Sequence, residues 1–196
     1  MDRCKIIGLT GQTGAGKSTV LSCFEENGAC VFNADLAVKK IYESGSACLK
    51  AVAAEFGADI INPDQSLNRK LLAQRAFSSP ESTQKLNSLV HPFVTALLLR
   101  MIKEVRPKVL IVDAPQLFES DLDAVCDVVI SVVADEKTRL QRITERDGID
   151  EKQARLRLSA QLDESFFREH SDYIIENNTG IASLLKKAKE ISDKII

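Results

Sequence analysis

A glycine-rich segment near the N-terminus has the residue types and the spacing of a phosphate cradle. The sequence GQTGAGKS at residues 11–18 matches G-x-x-x-x-G-K-[ST] throughout, after an apolar run and before a helical pattern that begins at Lys17. Glycines let the backbone turn its N–H groups toward an anion, and a helix N-terminus adds partial positive charge. In such a site Lys17 reaches the β- and γ-phosphates and Ser18 offers its hydroxyl to Mg²⁺. The segment predicts a nucleoside triphosphate site rather than an incidental glycine-rich turn.

Two aspartates follow short apolar runs and are candidates for the chemistry itself. Asp113 closes the run at residues 109–112, where it either holds Mg²⁺ through water or caps the following turn. Asp35 follows the run at residues 30–33. Its carboxylate either orients an acceptor hydroxyl and takes its proton, or serves as the N-cap of a helix over residues 36–42. The residues alone leave both pairs of alternatives open.

A cluster of arginines is the third chemical signal. Arg139, Arg142 and Arg146 are spaced i, i+3 and i+7, which places them on one face of a helix. Such a face is either an ordinary solvated surface or a lid whose guanidinium groups clamp a polyphosphate on closure. Its position after a predicted strand favours the lid.

The elements that must position these residues follow from the apolar pattern. Nearly continuous apolar runs predict five buried strands, at residues 5–9, 30–33, 109–112, 128–133 and 173–176. Helical patterns lie between them, so the fold class is α/β, a parallel sheet flanked by helices. The intervals 35–108 and 135–172 are helical and too long for single crossovers, and a one-sided apolar stripe predicts a C-terminal helix.

Composition excludes several classes of function. The 196 residues are 44% hydrophobic, and 26 Lys and Arg balance 28 Asp and Glu, which gives no electrostatic reason to expect nucleic-acid binding. No apolar stretch approaches the roughly 20 residues that a membrane helix needs, and no targeting segment precedes the first strand. Five scattered cysteines without a Cys-x-x-Cys pair indicate a reduced, cytoplasmic protein. We expect a small-molecule partner, no nucleic acid and no membrane, and a monomer is compatible with the sequence.

An ordered set of further motifs resembles the dephospho-CoA kinase family over essentially the whole chain. Beside the glycine-rich segment, the set comprises Ala34-Asp35, LNRKL at 67–71, LVHP at 89–92, PQLFE at 115–119, Arg142 with RDG at 146–148, Arg157, Gln161 and DYIIENN at 172–178. The glycine-rich motif is shared by many unrelated nucleotide-binding proteins. The later motifs, in this order, are specific to the family.

The resemblance implies a P-loop kinase with three parts. Residues 1–34, 106–134 and 172–196 would form the nucleotide-binding core, residues 35–105 a helical substrate domain, and residues 135–171 a helical lid. The implied reaction transfers the γ-phosphoryl group of ATP, with Mg²⁺, to the ribose 3′-hydroxyl of dephospho-coenzyme A, the last step of coenzyme A synthesis. The alternative is another P-loop kinase acting on a nucleotide, nucleoside or sugar acid. A GTP-dependent switch is not favoured, because the sequence contains no Asn-Lys-x-Asp.

The resemblance also implies roles for individual residues. The catalytic residues would be Asp35 and Lys17. The ATP-binding residues would be Gln12, Thr13, Gly14, Ala15, Gly16, Lys17, Ser18, Thr19, Arg142, Arg146 and Asn177. The substrate-binding residues would be Asp35, Arg69, His91, Pro115 and Leu117, and the metal-binding residues Ser18 and Asp113. For His91, the residues alone favour a loop position set by the following proline.

This chain departs from the family pattern at several positions. Asn33 stands where the family usually has the first aspartate of Asp-Ala-Asp, and Gln12 replaces the usual second glycine. Gln116 stands where leucine is common, and Phe167 where lysine is frequent. None of these departures changes Lys17, Ser18 or Asp35.

Overall fold

A five-stranded parallel sheet forms the centre of the protein. The structure is a computed structural model and describes residues 3–196. The strands are β1 (Lys5–Gly11), β2 (Cys30–Asn33), β3 (Val109–Asp113), β4 (Val128–Val133) and β5 (Tyr173–Glu176). Their order across the sheet is β2-β3-β1-β4-β5, and every neighbouring pair is parallel. The predicted α/β fold is confirmed, with β1 two residues longer than its apolar run.

Nine α-helices connect and cover the strands of the described chain. They are α1 (Lys17–Glu26), α2 (Ala34–Ile41), α3 (Ala47–Phe56), α4 (Arg69–Ala76), α5 (Pro80–Val105), α6 (Glu136–Asp147), α7 (Glu151–Ser159), α8 (Glu164–His170) and α9 (Ile181–Ile195). Short 3₁₀ helices lie at Ala58–Ile60 and Leu122–Val125. Helices α2 to α5 all fall between β2 and β3, and α6 to α8 fall between β4 and β5. Both long intervals without a predicted strand are therefore helical.

The core lies on both faces of the sheet because successive residues of a strand point to opposite sides. Leu110 packs with the cluster that joins the sheet to α2–α5, whereas its neighbour Ile111 packs with the cluster formed by α1 and α9. The apolar stripe predicted for the C-terminal helix runs from Ile181 to Ile195 and is buried only in part: Leu184 is fully buried, but Ile181, the first residue of α9, is 66% exposed.

The sheet order places the candidate residues at one edge. β1 lies between β3 and β4 in the sheet, and all the strands are parallel, so their carboxyl ends lie at one edge, where open α/β sheets bind their ligands. Register pairs Leu9 of β1 with Asp113, and Asp113 with Asn33 of β2. The phosphate loop, Asp113 and the start of α2 therefore meet at the same edge.

No helix among residues 3–196 is both long enough and apolar enough to cross a membrane.

Candidate functional site

The phosphate loop has the backbone that its glycines predict. Gly11, Gly14 and Gly16 all adopt positive φ, a region that favours glycine. At Gly16 a side chain is also excluded by space, because a Cβ atom would lie 2.6 Å from Nδ2 of Asn177. The loop borders an open cavity of about 630 Å³. The cavity is lined by Gly11, Gln12, Thr13, Gly14, Gly16, Lys17, Ser18, Pro115, Arg142, Glu145 and Arg146.

Lys17, which lines this cavity, forms an ion pair with Asp113, which does not line it. Lys17 Nζ contacts Asp113 Oδ1, and the two side chains are 18% and 9% exposed. The other oxygen of Asp113 accepts a hydrogen bond from Asn33 Nδ2 at 3.2 Å. The sequence predicts that Lys17 and Asp113 lie at the same edge of the sheet, but it does not predict the hydrogen bond from Asn33 to Asp113. The available signal was the position of Asn33 directly before a helix, where amide side chains often act as N-caps.

Asn177 is a buried residue that contacts the backbone of the phosphate loop. Its side chain is 4% exposed, and Nδ2 donates to the carbonyl oxygen of Ala15 at 2.7 Å. Its amide oxygen accepts from Arg142 Nη2 at 3.3 Å, while Arg142 Nη1 donates to the carbonyl oxygen of Gly14 at 3.2 Å. Of the predicted ATP-binding residues, Ala15, Thr19 and Asn177 do not line the cavity. Asn177 and Arg142 instead fix the shape of the loop.

Only two of the three arginines on α6 reach this cavity. Arg142 and Arg146 line it, whereas Arg139 is 8% exposed and donates from Nε to the carbonyl oxygen of Ala134 at 2.9 Å. Burial lowers the pKa of the Arg139 guanidinium. The expectation of one shared arginine face is therefore wrong for Arg139, whose backbone packs close to Gly14 and whose side chain is buried.

The segment between α7 and α8 already contacts the phosphate loop. The side-chain amide of Gln161 accepts from the Thr13 backbone N–H at 3.0 Å and donates to Thr13 Oγ1 at 2.9 Å. Gln12 is 3% exposed, and its Oε1 has no hydrogen-bond partner. The helices predicted as a lid are thus seated on the loop in this structure.

A second, smaller cavity lies beside the first and contains Asp35. It measures about 90 Å³ and is lined by Ala34, Asp35, Val38, Asn87, Val90, His91, Val94, Ala114, Pro115, Gln116, Ser120 and Leu122. The N-cap of α2 is Asn33, whose Oδ1 accepts from Leu36 N at 2.9 Å, so the interpretation of Asp35 as the N-cap is wrong. Asp35 lies in the first helical turn, exposed, with its carboxylate free of any cap role.

His91 points into the same cavity from the long helix α5. The predicted loop position is wrong, because α5 continues through Pro92 without a break. Nε2 of His91 is buried and has no hydrogen-bond partner. A buried polar atom without a partner is costly, and a polar ligand in the cavity would satisfy it.

The remaining predicted substrate residues lie in three different environments. Pro115 lines both cavities and therefore marks the point where they meet. Leu117 is fully buried in the core and lines neither cavity. Arg69 is the exposed first residue of α4, outside both cavities. It lies near the buried Tyr42, whose hydroxyl pKa is raised by burial and lowered in part by the Arg69 charge.

Two oxygen ligands that suit Mg²⁺ are present: Ser18 lines the larger cavity, and Asp113 contacts Lys17 of the same cavity. No cluster of three or more His, Cys, Asp or Glu side chains forms a metal cage among residues 3–196. Mg²⁺ at nucleotide sites takes only one or two protein oxygens and completes its octahedron with phosphates and water. The Ser18 hydroxyl and the Asp113 carboxylate fit that requirement.

Comparison with known proteins gives one consistent result. A family model described as dephospho-CoA kinase matches residues 5–183. Among curated relatives, a dephospho-CoA kinase of Corynebacterium jeikeium is 39% identical over 92% of this chain and 94% of the relative. Another, from Vibrio vulnificus, is 35% identical over 97% of this chain and 95% of the relative.

Solved structures agree in fold. A crystal structure from Thermus thermophilus superposes with a TM-score of 0.79 and 27% identity, covering 99% of both chains. A dephospho-CoA kinase from Campylobacter jejuni superposes with a TM-score of 0.56 and 23% identity, covering 97% of both chains. A shikimate kinase from Bacteroides thetaiotaomicron superposes with a TM-score of 0.53 and 12% identity, covering 96% of this chain and 98% of that chain. At such identities the last two show the fold of P-loop kinases alone. The chain belongs to the dephospho-CoA kinase family, and it is an enzyme of the phosphotransferase class.

Proposed function

We propose that this chain transfers the γ-phosphoryl group of ATP to the ribose 3′-hydroxyl of dephospho-coenzyme A. The observation that carries the proposal is the meeting of two cavities at Pro115. One cavity holds the phosphate loop and Lys17, and the other holds Asp35 and His91. A donor phosphate and an acceptor hydroxyl bound in them would therefore approach each other across Pro115.

The donor cavity provides positive charge where a triphosphate needs it. Loop N–H groups and the N-terminus of α1 would surround the β- and γ-phosphates, and Lys17 would leave Asp113 to contact them. Arg142 and Arg146 line the outer wall of the same cavity. Mg²⁺ bound at Ser18 and Asp113 would neutralise charge on the β- and γ-phosphate oxygens.

Asp35 would act on the acceptor. Its carboxylate accepts a hydrogen bond from the ribose 3′-hydroxyl and holds that oxygen in line with the γ-phosphorus. The bond from the γ-phosphorus to the β,γ-bridging oxygen breaks as the bond to the 3′-oxygen forms, and ADP leaves with the bridging oxygen. The hydroxyl proton passes to Asp35 late in the transfer, because the transition state is loose.

Other residues would bind the rest of the acceptor. His91 Nε2 is available to a polar group in the smaller cavity. Arg69 lies outside that cavity, at the start of α4, where its exposed guanidinium suits a phosphate of a larger substrate. Leu117 would act indirectly by supporting the segment that carries Pro115.

The helical intervals would then have separate tasks. We assign residues 35–105 to acceptor binding and residues 135–171 to a lid over the nucleotide. Residues 1–34, 106–134 and 172–196 would form the nucleotide-binding core. Arg142 on α6 would connect the lid to the core, because its guanidinium contacts both the loop at Gly14 and Asn177, directly after β5.

The proposal is tested by identifying the product. The purified chain is incubated with ATP, Mg²⁺ and dephospho-coenzyme A, and the phosphorylated position is assigned by ³¹P and ¹H NMR. We expect ADP release with phosphate on the ribose 3′-oxygen. A parallel panel of shikimate, gluconate, nucleosides and nucleoside monophosphates provides the comparison. Faster turnover of any of these, or phosphorylation elsewhere on dephospho-coenzyme A, would contradict the assigned substrate.

A further inference from the structure

The side chain of Asn33 contacts two parts of the site at once. Asn33 ends β2 and Asp113 ends β3, and the two residues are paired in register. Oδ1 of Asn33 accepts from Leu36 N at 2.9 Å, while Nδ2 donates to Asp113 Oδ2 at 3.2 Å. One amide therefore joins the N-terminus of α2, the helix that carries Asp35, to the carboxylate beside the phosphate loop.

Both oxygens of Asp113 have partners among the side chains of the protein. Lys17 Nζ contacts Oδ1, and Asn33 Nδ2 donates to Oδ2. Each partner presents positively polarised hydrogens to the carboxylate and opposes the approach of a divalent cation to that oxygen. Bound phosphates would attract Lys17 away from Asp113, whereas Asn33 is also held by its hydrogen bond from Leu36 N.

Only an amide can make both contacts. A serine at position 33 could accept from Leu36 N as an N-cap, but its short side chain does not extend a second donor to Asp113. An aspartate could also cap α2, but it accepts only and adds a negative charge beside Asp113. The choice of amide, serine or carboxylate therefore changes the environment of Asp113 while the cap on α2 remains.

We propose that Asn33 is a positioning residue that holds the Asp113 carboxylate toward Lys17 and keeps divalent cations weakly bound until nucleotide arrives. The metal would then enter the site with the triphosphate, which supplies the ligands that Asp113 alone does not. This inference rests on the proposed role of Asp113 as a metal-binding residue. It does not depend on which acceptor is phosphorylated.

The test is a titration of the nucleotide-free protein with MnCl₂, with free Mn²⁺ measured by electron paramagnetic resonance. We compare the parent chain with Asn33→Ser and Asn33→Asp, both of which keep the N-cap. Affinity for oxygen-liganded cations rises with the number of available charged ligands. We therefore expect the Mn²⁺ dissociation constant to fall about threefold in Asn33→Ser and about tenfold in Asn33→Asp.

A matched control separates capping from positioning. Ser46 caps α3 by accepting from Leu49 N at 3.1 Å, and it lines neither cavity of the site. Ser46→Ala should lower the melting temperature and leave Mn²⁺ binding unchanged. Asn33→Ser should instead keep the parental melting temperature and bind Mn²⁺ more tightly. Mn²⁺ binding in Asn33→Ser that equals or is weaker than that of the parent overturns the proposal, as does unchanged binding in Asn33→Asp. Because no ATP or acceptor is present, failure here is distinguishable from failure of the 3′-phosphorylation assay.

Discussion

Lys17 and Asp113 form an ion pair between the start of α1 and the end of β3, with both side chains largely buried. The pair balances charge at a site built to receive phosphates. In the proposed reaction, a triphosphate would compete with Asp113 for the Lys17 ammonium. Phosphate binding would then be coupled to the release of Asp113 through this one contact.

Replacing Lys17 by alanine should abolish most of the transfer rate. The ammonium would stabilise negative charge on the transferring group, and loss of one such donor costs roughly 10²–10³-fold in rate. We expect kcat/KM to fall at least that far in Lys17→Ala. The variant should keep the circular dichroism spectrum of the parent and a single cooperative melting transition. Lys186→Ala, at an exposed position on α9, is the matched control and should keep parental kinetics. A folded Lys17→Ala enzyme with near-normal turnover would remove Lys17 from the mechanism.

Nucleotide should protect α6 and α7 from hydrogen exchange more than α8. Ion pairs from Arg155 to Glu136 and from Arg157 to Asp147 join α7 to α6 as one unit. Closure over ATP through Arg142 should slow amide exchange throughout that unit. Exchange measured with and without a non-hydrolysable ATP analogue tests this expectation, and equal exchange in both states would make α6 and α7 a static part of the core.

Helix α8 provides the internal reference for that experiment. Phe118, from the segment after β3, packs edge-on against Phe166 with ring centroids 5.3 Å apart. Ser171, directly after α8, shares a hydrogen bond of 2.7 Å with the buried Ser131 of β4. These contacts tie α8, the C-terminal part of the proposed lid, to the sheet. We therefore expect α6 and α7 to close over nucleotide while α8 stays in place as the fixed end of the lid, without a change in its exchange. If α8 responds as strongly as α7, the whole interval 135–171 moves as one lid.

Leu117 should affect stability rather than substrate binding. Its side chain is fully buried, and a Cβ atom on Gly8 would lie 2.7 Å from Leu117 Cδ2. Leu117→Ala should reduce the free energy of unfolding by about 2–5 kcal/mol in urea titration, because it leaves a cavity in the core. The KM for the acceptor should stay within twofold. Leu99→Ala, at a side chain that is 58% exposed, should change stability by only about 0.5 kcal/mol or less. A higher KM without loss of stability would place Leu117 in the substrate site.

The fold was predictable because its strands are short, buried and rich in β-branched residues. Val128–Val133 and Tyr173–Glu176 have the predicted bounds. Side-chain direction was less predictable. Helical spacing grouped Arg139 with Arg142, but close packing of α6 on Gly14 buries Arg139. That packing is tertiary and leaves no local signal in the sequence.

In the candidate site, too, the backbone was more predictable than the side-chain contacts. The glycines predict a phosphate-binding loop, and the parallel sheet predicts the edge at which Asp113 lies. The residues alone leave open whether Asp35 caps α2, because aspartate and asparagine are about equally good N-caps. Helix α2 begins two residues earlier than its apolar pattern, so Asn33 caps it and Asp35 is left exposed in its first turn.

Asp35 provides the sharpest test of the transfer step. Asp35→Asn keeps the size of the side chain but removes its charge and basicity. Because Asn33 caps α2, this substitution leaves the helix start intact, and ATP and dephospho-coenzyme A should bind with nearly parental affinity. The transfer rate should fall by roughly 10²-fold or more, the lower range for loss of a general base. Rapid-quench measurement of a single turnover at saturating substrates isolates this step from binding and product release.

Two comparisons decide whether the loss belongs to catalysis. Asp193→Asn makes the same chemical change on the exposed surface of α9 and should leave the rate unchanged. Asn33→Ala removes the cap of α2 but no candidate base, so it should slow transfer far less than Asp35→Asn while lowering the melting temperature. Equal slowing by Asn33→Ala and Asp35→Asn, or a loss confined to acceptor binding in Asp35→Asn, would mean that Asp35 shapes the cavity and takes no proton. A rate deficit of Asp35→Asn alone, with both dissociation constants preserved, requires a carboxylate at the acceptor hydroxyl.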